Sequence, residues 1–316
     1  MRAAVVTAFD APPRYDRYPA PVAEGEDAMV VDVLATGLHR LVRARANGAH
    51  YSARHSADHS ATGVLPLVPG VDAVVRDPHG RLRYAVLEDG RLGTFAERTV
   101  IDPRRSVELP DDVDPVRIAA AMNPAMSSWV ALRRRVAFRE GQGVLVLGAT
   151  GNAGRMAVQI ARRFGAGRVV AAGRDTSRLA APRDLGADEV VTFDQVGRAA
   201  DVDVVLDYVW GEPAARAMTA LVTARRDRRA PLDWVQIGSV AGETSPVPAS
   251  VLRASRLQLC GSGFGSLSAR DFLAELPELA VAVHTGAVDV RARAVPLARV
   301  AETWDEETDD RIVYVP

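Results

Sequence analysis

One segment constrains this chain more than any other. Val144-Leu-Val-Leu147 runs directly into Gly148-Ala-Thr-Gly151-Asn-Ala-Gly154. An uninterrupted apolar run reads as a strand covered on both faces, and a helical pattern follows over residues 153–164. A glycine turn between strand and helix can serve only as a tight connection. It can also cradle a pyrophosphate, and the spacing favours this second use. Against G-x-G-x-x-G, Ala149 holds the first place, Gly151 the second and Gly154 the third. Gly151 would let the backbone approach a phosphate, and Gly154 would let the helix pack on the strand. The helix N-terminus adds free N–H groups and partial positive charge. The candidate cradle is therefore Thr150, Gly151, Asn152, Ala153 and Gly154.

The surroundings repeat the pattern. Strand texture recurs at 143–147, 168–172, 189–193, 202–206, 234–237 and 257–260. Helical texture recurs at 153–164, 177–185, 213–223 and 269–284. This alternation predicts a parallel, doubly wound α/β sheet. A helix over 115–137 precedes it, opened by Asp114-Pro115, with a break expected at Asn123-Pro124. Residues 1 to 110 differ, with short strands expected at 3–8, 29–35, 71–75, 83–87 and 93–101. Pro69-Gly70 and Asp89-Gly90 punctuate them, and the polar stretch 47–63 reads as a loop or weak helix. Strand texture returns at 290–295 and 312–315.

The end of the second cofactor strand bears on which nucleotide fits. An acid there would accept a ribose 2′-hydroxyl and repel a 2′-phosphate. Here the strand ends in Gly173 and then Arg174, with Arg178 close behind and Asp175 beyond the strand end. Guanidiniums suit a phosphate, so the pattern points to NADPH over NADH.

Composition removes whole chemistries. Lys plus Arg totals 39, yet no lysine occurs, so every one is arginine. Walker A loops, Schiff-base catalysis and the Tyr-x-x-x-Lys pair of short-chain dehydrogenases all need lysine. Asp plus Glu totals 40, and the net charge of −1 gives no footprint for nucleic acid or an anionic membrane. Cys260 is the single cysteine, which excludes an internal disulfide and a Cys-rich zinc site within the chain. With neither signal peptide nor spanning helix in the sequence, the expectation is cytoplasmic. His50, His55 and His59 could share a helix face, but a solvated Ser/Ala-rich loop accounts for them better than a metal. The runs Arg133-Arg-Arg135 and Arg225-Arg-Asp-Arg-Arg229 read as solvated helix ends or turns.

A family resemblance now becomes specific. Glu140-Gly-Gln-Gly-Val-Leu-Val-Leu-Gly-Ala-Thr-Gly-Asn-Ala-Gly154, Val158-Gln-Ile-Ala161 and Leu185-Gly-Ala-Asp188 resemble the cofactor domain of medium-chain dehydrogenases/reductases. Val68-Pro-Gly-Val-Asp72, Gly93-Thr-Phe-Ala-Glu97, Ala125-Met-Ser-Ser-Trp129, Ile237-Gly-Ser-Val-Ala-Gly242 and Gly261-Ser-Gly-Phe-Gly265 follow in family order. The nearest branch is the zinc-independent quinone oxidoreductases and related enoyl reductases. The resemblance implies a Rossmann domain, residues 116–287, inserted in a GroES-like, mostly β catalytic domain, residues 1–115 plus 288–316. It implies nicotinamide and substrate in a cleft, and a homodimer pairing edge to edge near 257–260.

The resemblance also implies site residues. Tyr51 matches a cleft tyrosine, and His39 takes the place of a cleft residue that is often Asn, or Cys in zinc-dependent members. Ser127 matches a residue near the nicotinamide ribose. Tyr208, Ile237, Gly238 and Ser239 fall at the carboxyl edge of the sheet, where doubly wound folds bind ligands. Gly263 and Phe264 lie in a segment expected over the cofactor. The Gly-His-Glu metal motif and the four-Cys lobe are missing, Thr192-Phe193 replaces a common Asn-Tyr, and Asp310-Arg311 replaces Gly-Lys. The expected reaction is NADPH-dependent hydride transfer to a quinone or α,β-unsaturated carbonyl. A ketone or aldehyde reductase, and an NADPH-binding sensor without turnover, are the alternatives.

Overall fold

A computed structural model describes residues 1–25, 27–49, 65–87 and 90–316. In chain order the elements are β1 (Arg2–Val5), β2 (Arg14–Arg17), β3 (Met29–Gly37), α1 (Arg40–Ala46), β4 (Asp72–Arg76), β5 (Leu82–Val86), β6 (Arg98–Ile101), β7 (Ser106–Glu108) and α2 (Pro115–Val130). Then come β8 (Gly143–Leu147), α3 (Asn152–Arg163), β9 (Arg168–Gly173), α4 (Ala180–Asp184), β10 (Glu189–Thr192), β11 (Val204–Asp207), α5 (Gly211–Ala224), β12 (Pro231–Gln236), α6 (Ala249–Arg253) and β13 (Arg256–Gly261). The last are α7 (Ala269–His284), β14 (Ala292–Pro296), α8 (Val300–Thr303) and β15 (Arg311–Val315). No helix among the described residues is long and apolar enough to cross a membrane.

The chain forms two compact units. One is contiguous apart from a short return, Pro124–Glu275 with Ala287–Asp289. Its six strands run parallel in the order β10-β9-β8-β11-β12-β13. The strands inside this sheet are buried along nearly their whole length, which is why they read as apolar runs. Leu145, Leu147, Val205, Met218, Leu221 and Trp234 are among the residues of its core. β11 lies beside β8 and β12, so the strand order reverses between β8 and β11, the position where such sheets take ligands.

The other unit comprises Met1–Asn123, Leu276–Gly286 and Val290–Pro316. Its main sheet runs β14-β15-β3-β4-β5-β7, with β6 also on β3. Most of these pairings are antiparallel, as the short strands and turns imply. Val5, Leu67, Phe95, Trp304 and Tyr314 share one core cluster, with Phe95 edge-on to Trp304 and Tyr314.

Two expectations are corrected. Helix α2 runs through Asn123-Pro124 without a break. Residues 118–122, 125 and 126 are all buried in it, and that burial outweighs the donor Pro124 lacks. The helix expected at 177–185 opens as a tight turn, Thr176–Arg178, and only Ala180–Asp184 is α-helical.

Candidate functional site

The turn after β8 is built from backbone bonds. The N–H groups of Gly148 and Ala149 both donate to the Ala172 carbonyl at 3.0 Å, tying the turn to β9. Gly148 takes φ +86°, which a side chain would strain. Gly151 is the N-cap of α3 and makes no side-chain cap bond. The N–H groups of the first turn therefore have no intrahelical partner to satisfy them. A Cβ at Gly154 would lie 2.3 Å from Gly148 O and 2.7 Å from Ala149 Cα. A Cβ at Gly151 would meet only Gly148 O, at 3.7 Å. One glycine is thus demanded by packing inside the fold. The other leaves open space above the helix N-terminus, which fits an approaching phosphate.

Thr150 sits against the end of the second strand, where a Cβ on Gly173 would meet Thr150 Cγ2 at 2.7 Å. Arg174 is exposed beside it. Asp175, the nearest acid, accepts from Ser177 N at 2.9 Å and Ser177 Oγ at 2.6 Å. These bonds hold its carboxyl below the usual range and commit it to capping its own turn.

Three further strand ends stand side by side. Tyr208 Oη lies 2.8 Å from Ser127 Oγ, which itself donates to Pro124 O at 2.7 Å. The serine has one proton, so the phenol donates to it. Burial pushes Tyr208 up to about 12, and it stays a neutral donor through the physiological range. Ile237 and Gly238 both donate their N–H groups to Asp207 O, at 2.8 and 3.1 Å. Gly238 lies so close to Tyr208 that a Cβ would stand 2.8 Å from Tyr208 O. The structure therefore gathers Gly148, Ser127, Tyr208, Ile237 and Gly238, with Ser239 next along the chain. Gly263 and Phe264 follow β13, with Phe264 half-exposed and its ring 5.4 Å from that of Phe272.

In the other unit His39 is buried, at the N-cap of α1. Its Nε2 lies 2.9 Å from Asp72 Oδ1. Gly37, just before it, approaches α2 so closely that a Cβ would meet Ala119 O at 2.6 Å. Tyr51, His50, His55 and His59 lie outside the described residues.

Sequence reasoning missed several groups. Asp72 was visible only as part of a matched motif, and Tyr84 and Asn123 joined it through folding alone. Asp207 is a buried carboxyl raised by burial, accepting from Val209 N, Trp210 N and Trp234 Nε1. It holds a turn in which Trp210 takes φ +53°. The arginine runs lie at a helix end and a turn, as expected, with Arg225 alone of them buried and several also bonded within the fold. Arg134 Nε donates to the buried Glu275 at 2.6 Å, and Arg135 donates to Gly261 O and Ser266 O at 2.8 and 3.0 Å. Buried Arg225 donates to Ala200 O, Val202 O and Pro231 O. Each finds carbonyls or a carboxylate, which a linear reading of charge does not reveal.

With this geometry in place, the comparisons are informative. The family model described as zinc-binding dehydrogenase matches residues 153–281. The "Probable NADPH-dependent quinone reductase tdiC" of Emericella nidulans is 30% identical, with all of both chains covered. The quinone oxidoreductase of Thermus thermophilus, solved also with NADPH, superposes with a TM-score of 0.79 at 26% identity, covering 100% of each chain. The Escherichia coli quinone oxidoreductase, complexed with NADPH, shares the fold at a TM-score of 0.80 and 18% identity, again over 100% of each chain. A doubly wound sheet with a glycine turn and a helix N-terminus at its switch point defines a dinucleotide-binding class. Within it, this chain belongs to the medium-chain dehydrogenase/reductase superfamily, in its quinone oxidoreductase-like branch. Zinc in the family description does not fit the donors here. The chain has one thiol, Cys260, on β13, and among the described residues no three His, Cys, Asp or Glu side chains are grouped to hold a metal ion.

Proposed function

We propose that this protein is an NADPH-dependent, zinc-independent oxidoreductase that reduces a quinone or an α,β-unsaturated carbonyl. The open cradle carries the reading: Gly151 leaves room above a helix N-terminus while Gly154 is closed by backbone. Full-length similarity to a quinone reductase supports it. Thr150, Gly151, Asn152, Ala153 and Gly154 would hold the pyrophosphate. Gly173, Arg174 and Arg178 would receive the 2′-phosphate. Ser127, Tyr208, Ile237, Gly238, Ser239, Gly263 and Phe264 would line the remainder of the cofactor site. NADPH, when bound, supplies a hydride. The chain's own work is to orient the acceptor and provide a proton, for which His39 and Tyr51 are the candidate groups.

In this reading residues 1–115 with 288–316 form the catalytic domain and 116–287 the NADPH domain. The protein is cytoplasmic and a homodimer, paired along β13, the sheet-edge strand on which Leu259 is exposed. A panel of quinones, enones, ketones and aldehydes, read by NADPH oxidation, tests the function. Turnover confined to quinones or enones is expected. Turnover of ketones or aldehydes alone, or NADPH binding with no turnover, overturns it. Light scattering of the purified protein tests the dimer.

A further inference from the structure

The run Arg133-Arg-Arg135 directs all three side chains at residues 261–275 of the parallel-sheet unit. The chain leaves α2 through one wide turn, Ala131–Arg135, closed by Val136 N donating to Ala131 O at 3.2 Å. Single wide turns of this kind recur at functional sites. Arg133 and Arg134 reach Glu275 in α7, at 3.2 and 2.6 Å. Arg135 goes elsewhere. Its Nε donates to Gly261 O at 2.8 Å and its Nη1 to Ser266 O at 3.0 Å. One rigid, planar guanidinium thus spans both ends of the segment 262–265. Inside the segment, Gly263 N donates to Ser266 Oγ at 2.9 Å, while Ser266 N and Oγ donate back to Gly263 O at 3.0 and 2.7 Å. These bonds close a small turn on itself, which fixes its shape and not its place. Its place is set by Arg135 and by Ser262 N, which donates to Gln236 O at the end of β12 at 2.8 Å. Phe264 leaves the turn half-exposed.

The sheet order says which half of a dinucleotide such a turn would serve. β9, which ends in Gly173, and β13, which ends in Gly261, lie on opposite sides of the reversal between β8 and β11. A dinucleotide laid across that reversal puts its adenosine half toward β9 and its nicotinamide half toward β11, β12 and β13. We propose that Arg135 is a positioning residue for the nicotinamide half of NADPH, holding the turn Gly263–Ser266 in place before the cofactor arrives. This rests on the oxidoreductase reading above. Arg135 acts through the turn and not by touching the cofactor. A segment ordered in advance spares the ligand the cost of ordering it, so the guanidinium contributes to affinity by pre-organisation.

The alternative is that the two bonds only finish the open end of β13. Two ligands separate the roles. NADPH carries both halves, whereas adenosine 2′,5′-bisphosphate carries only the adenosine half with its 2′-phosphate. In calorimetric titrations of the purified protein, Arg135→Met should weaken NADPH on the order of tenfold. The bisphosphate should stay within about twofold of wild type, because its site lies strands away. Amide exchange of the unliganded variant should quicken at residues 262–266. Should Arg135→Met not fold, Arg135→Lys decides the matter. Lysine keeps the charge and loses the planar fork, so NADPH should again weaken while the bisphosphate holds. NADPH affinity equal to wild type, equal losses for the two ligands, or unchanged exchange at 262–266 overturns the proposal while the oxidoreductase reading stands. Wild-type protein that binds neither ligand overturns both.

Discussion

Gly154→Ala isolates the demand that the fold places on the cradle. The new methyl would stand 2.3 Å from Gly148 O, 2.7 Å from Ala149 Cα and 2.9 Å from Gly148 C. All are backbone atoms, and the turn they belong to is tied to Ala172 O by two bonds of 3.0 Å. The helix cannot keep its place without displacing that turn. Overpacking of this kind costs about 1–3 kcal/mol, and contacts this short to backbone belong at the upper end. Alanine returns up to about 1 kcal/mol of helix propensity. The net loss is about 2 kcal/mol, which lowers Tm by roughly 4–8 °C for a unit of this size. Gly151→Ala is the counterpart. Its φ is −81°, and its methyl makes only van der Waals contact, with Gly148 O at 3.7 Å. Stability should hold within about 0.5 kcal/mol. NADPH affinity should drop on the order of tenfold, about 1.4 kcal/mol, because the methyl takes the phosphate's space. Calorimetric melts and NADPH fluorescence titrations of both variants check this. Gly154→Ala melting with wild type, or Gly151→Ala binding NADPH as wild type does, refutes the reasoning.

Other outcomes follow from single side chains. Arg174→Ala should weaken NADPH binding on the order of tenfold and leave NADH unchanged; equal losses in calorimetric titration would contradict the 2′-phosphate role. Arg225→Met strands the carbonyls of Ala200, Val202 and Pro231 and should cost roughly 2–4 kcal/mol in urea unfolding; a midpoint equal to wild type rejects it. Asp77 sits at about 2 in place of 3.8: burial opposes this, but the N–H groups of Arg81 and His79 and the Arg83 guanidinium outweigh it. A depressed carboxyl adds stability above its ordinary value and loses it as pH falls from about 4 to about 2. Asp77→Asn should flatten acid unfolding in that window, and an unchanged slope counts against the assignment.

The sequence carried the parallel sheet well, because strands buried on both faces must be apolar throughout. The cradle was legible for a related reason: its glycines answer local backbone demands. β2 and β7 were missed, since neither has a buried residue to mark a face and both are defined by pairing. The His39–Asp72 pair spans 33 residues of chain, and only the pairing of β3 with β4 brings it together. Buried Arg225 escaped because its charge is met by carbonyls, which every residue carries and no sequence pattern displays.

The return of the chain to its first unit has a consequence for the order of folding. Every later strand of the inserted unit except β11 pairs with the strand before it in sequence, β11 returns to β8, and residues 124–275 hold all six strands. Its nucleus needs only modest loop closures. The other unit must wait. Arg311 reaches Leu38 across 273 residues, and β15 fills the place between β14 and β3. During synthesis the inserted sheet can close while β3 still lacks its neighbour. An exposed β3 edge is thus the species a chaperone would meet, and pulse-labelled hydrogen exchange should find amides of β8, β9 and β11 protected before those of β3 and β15.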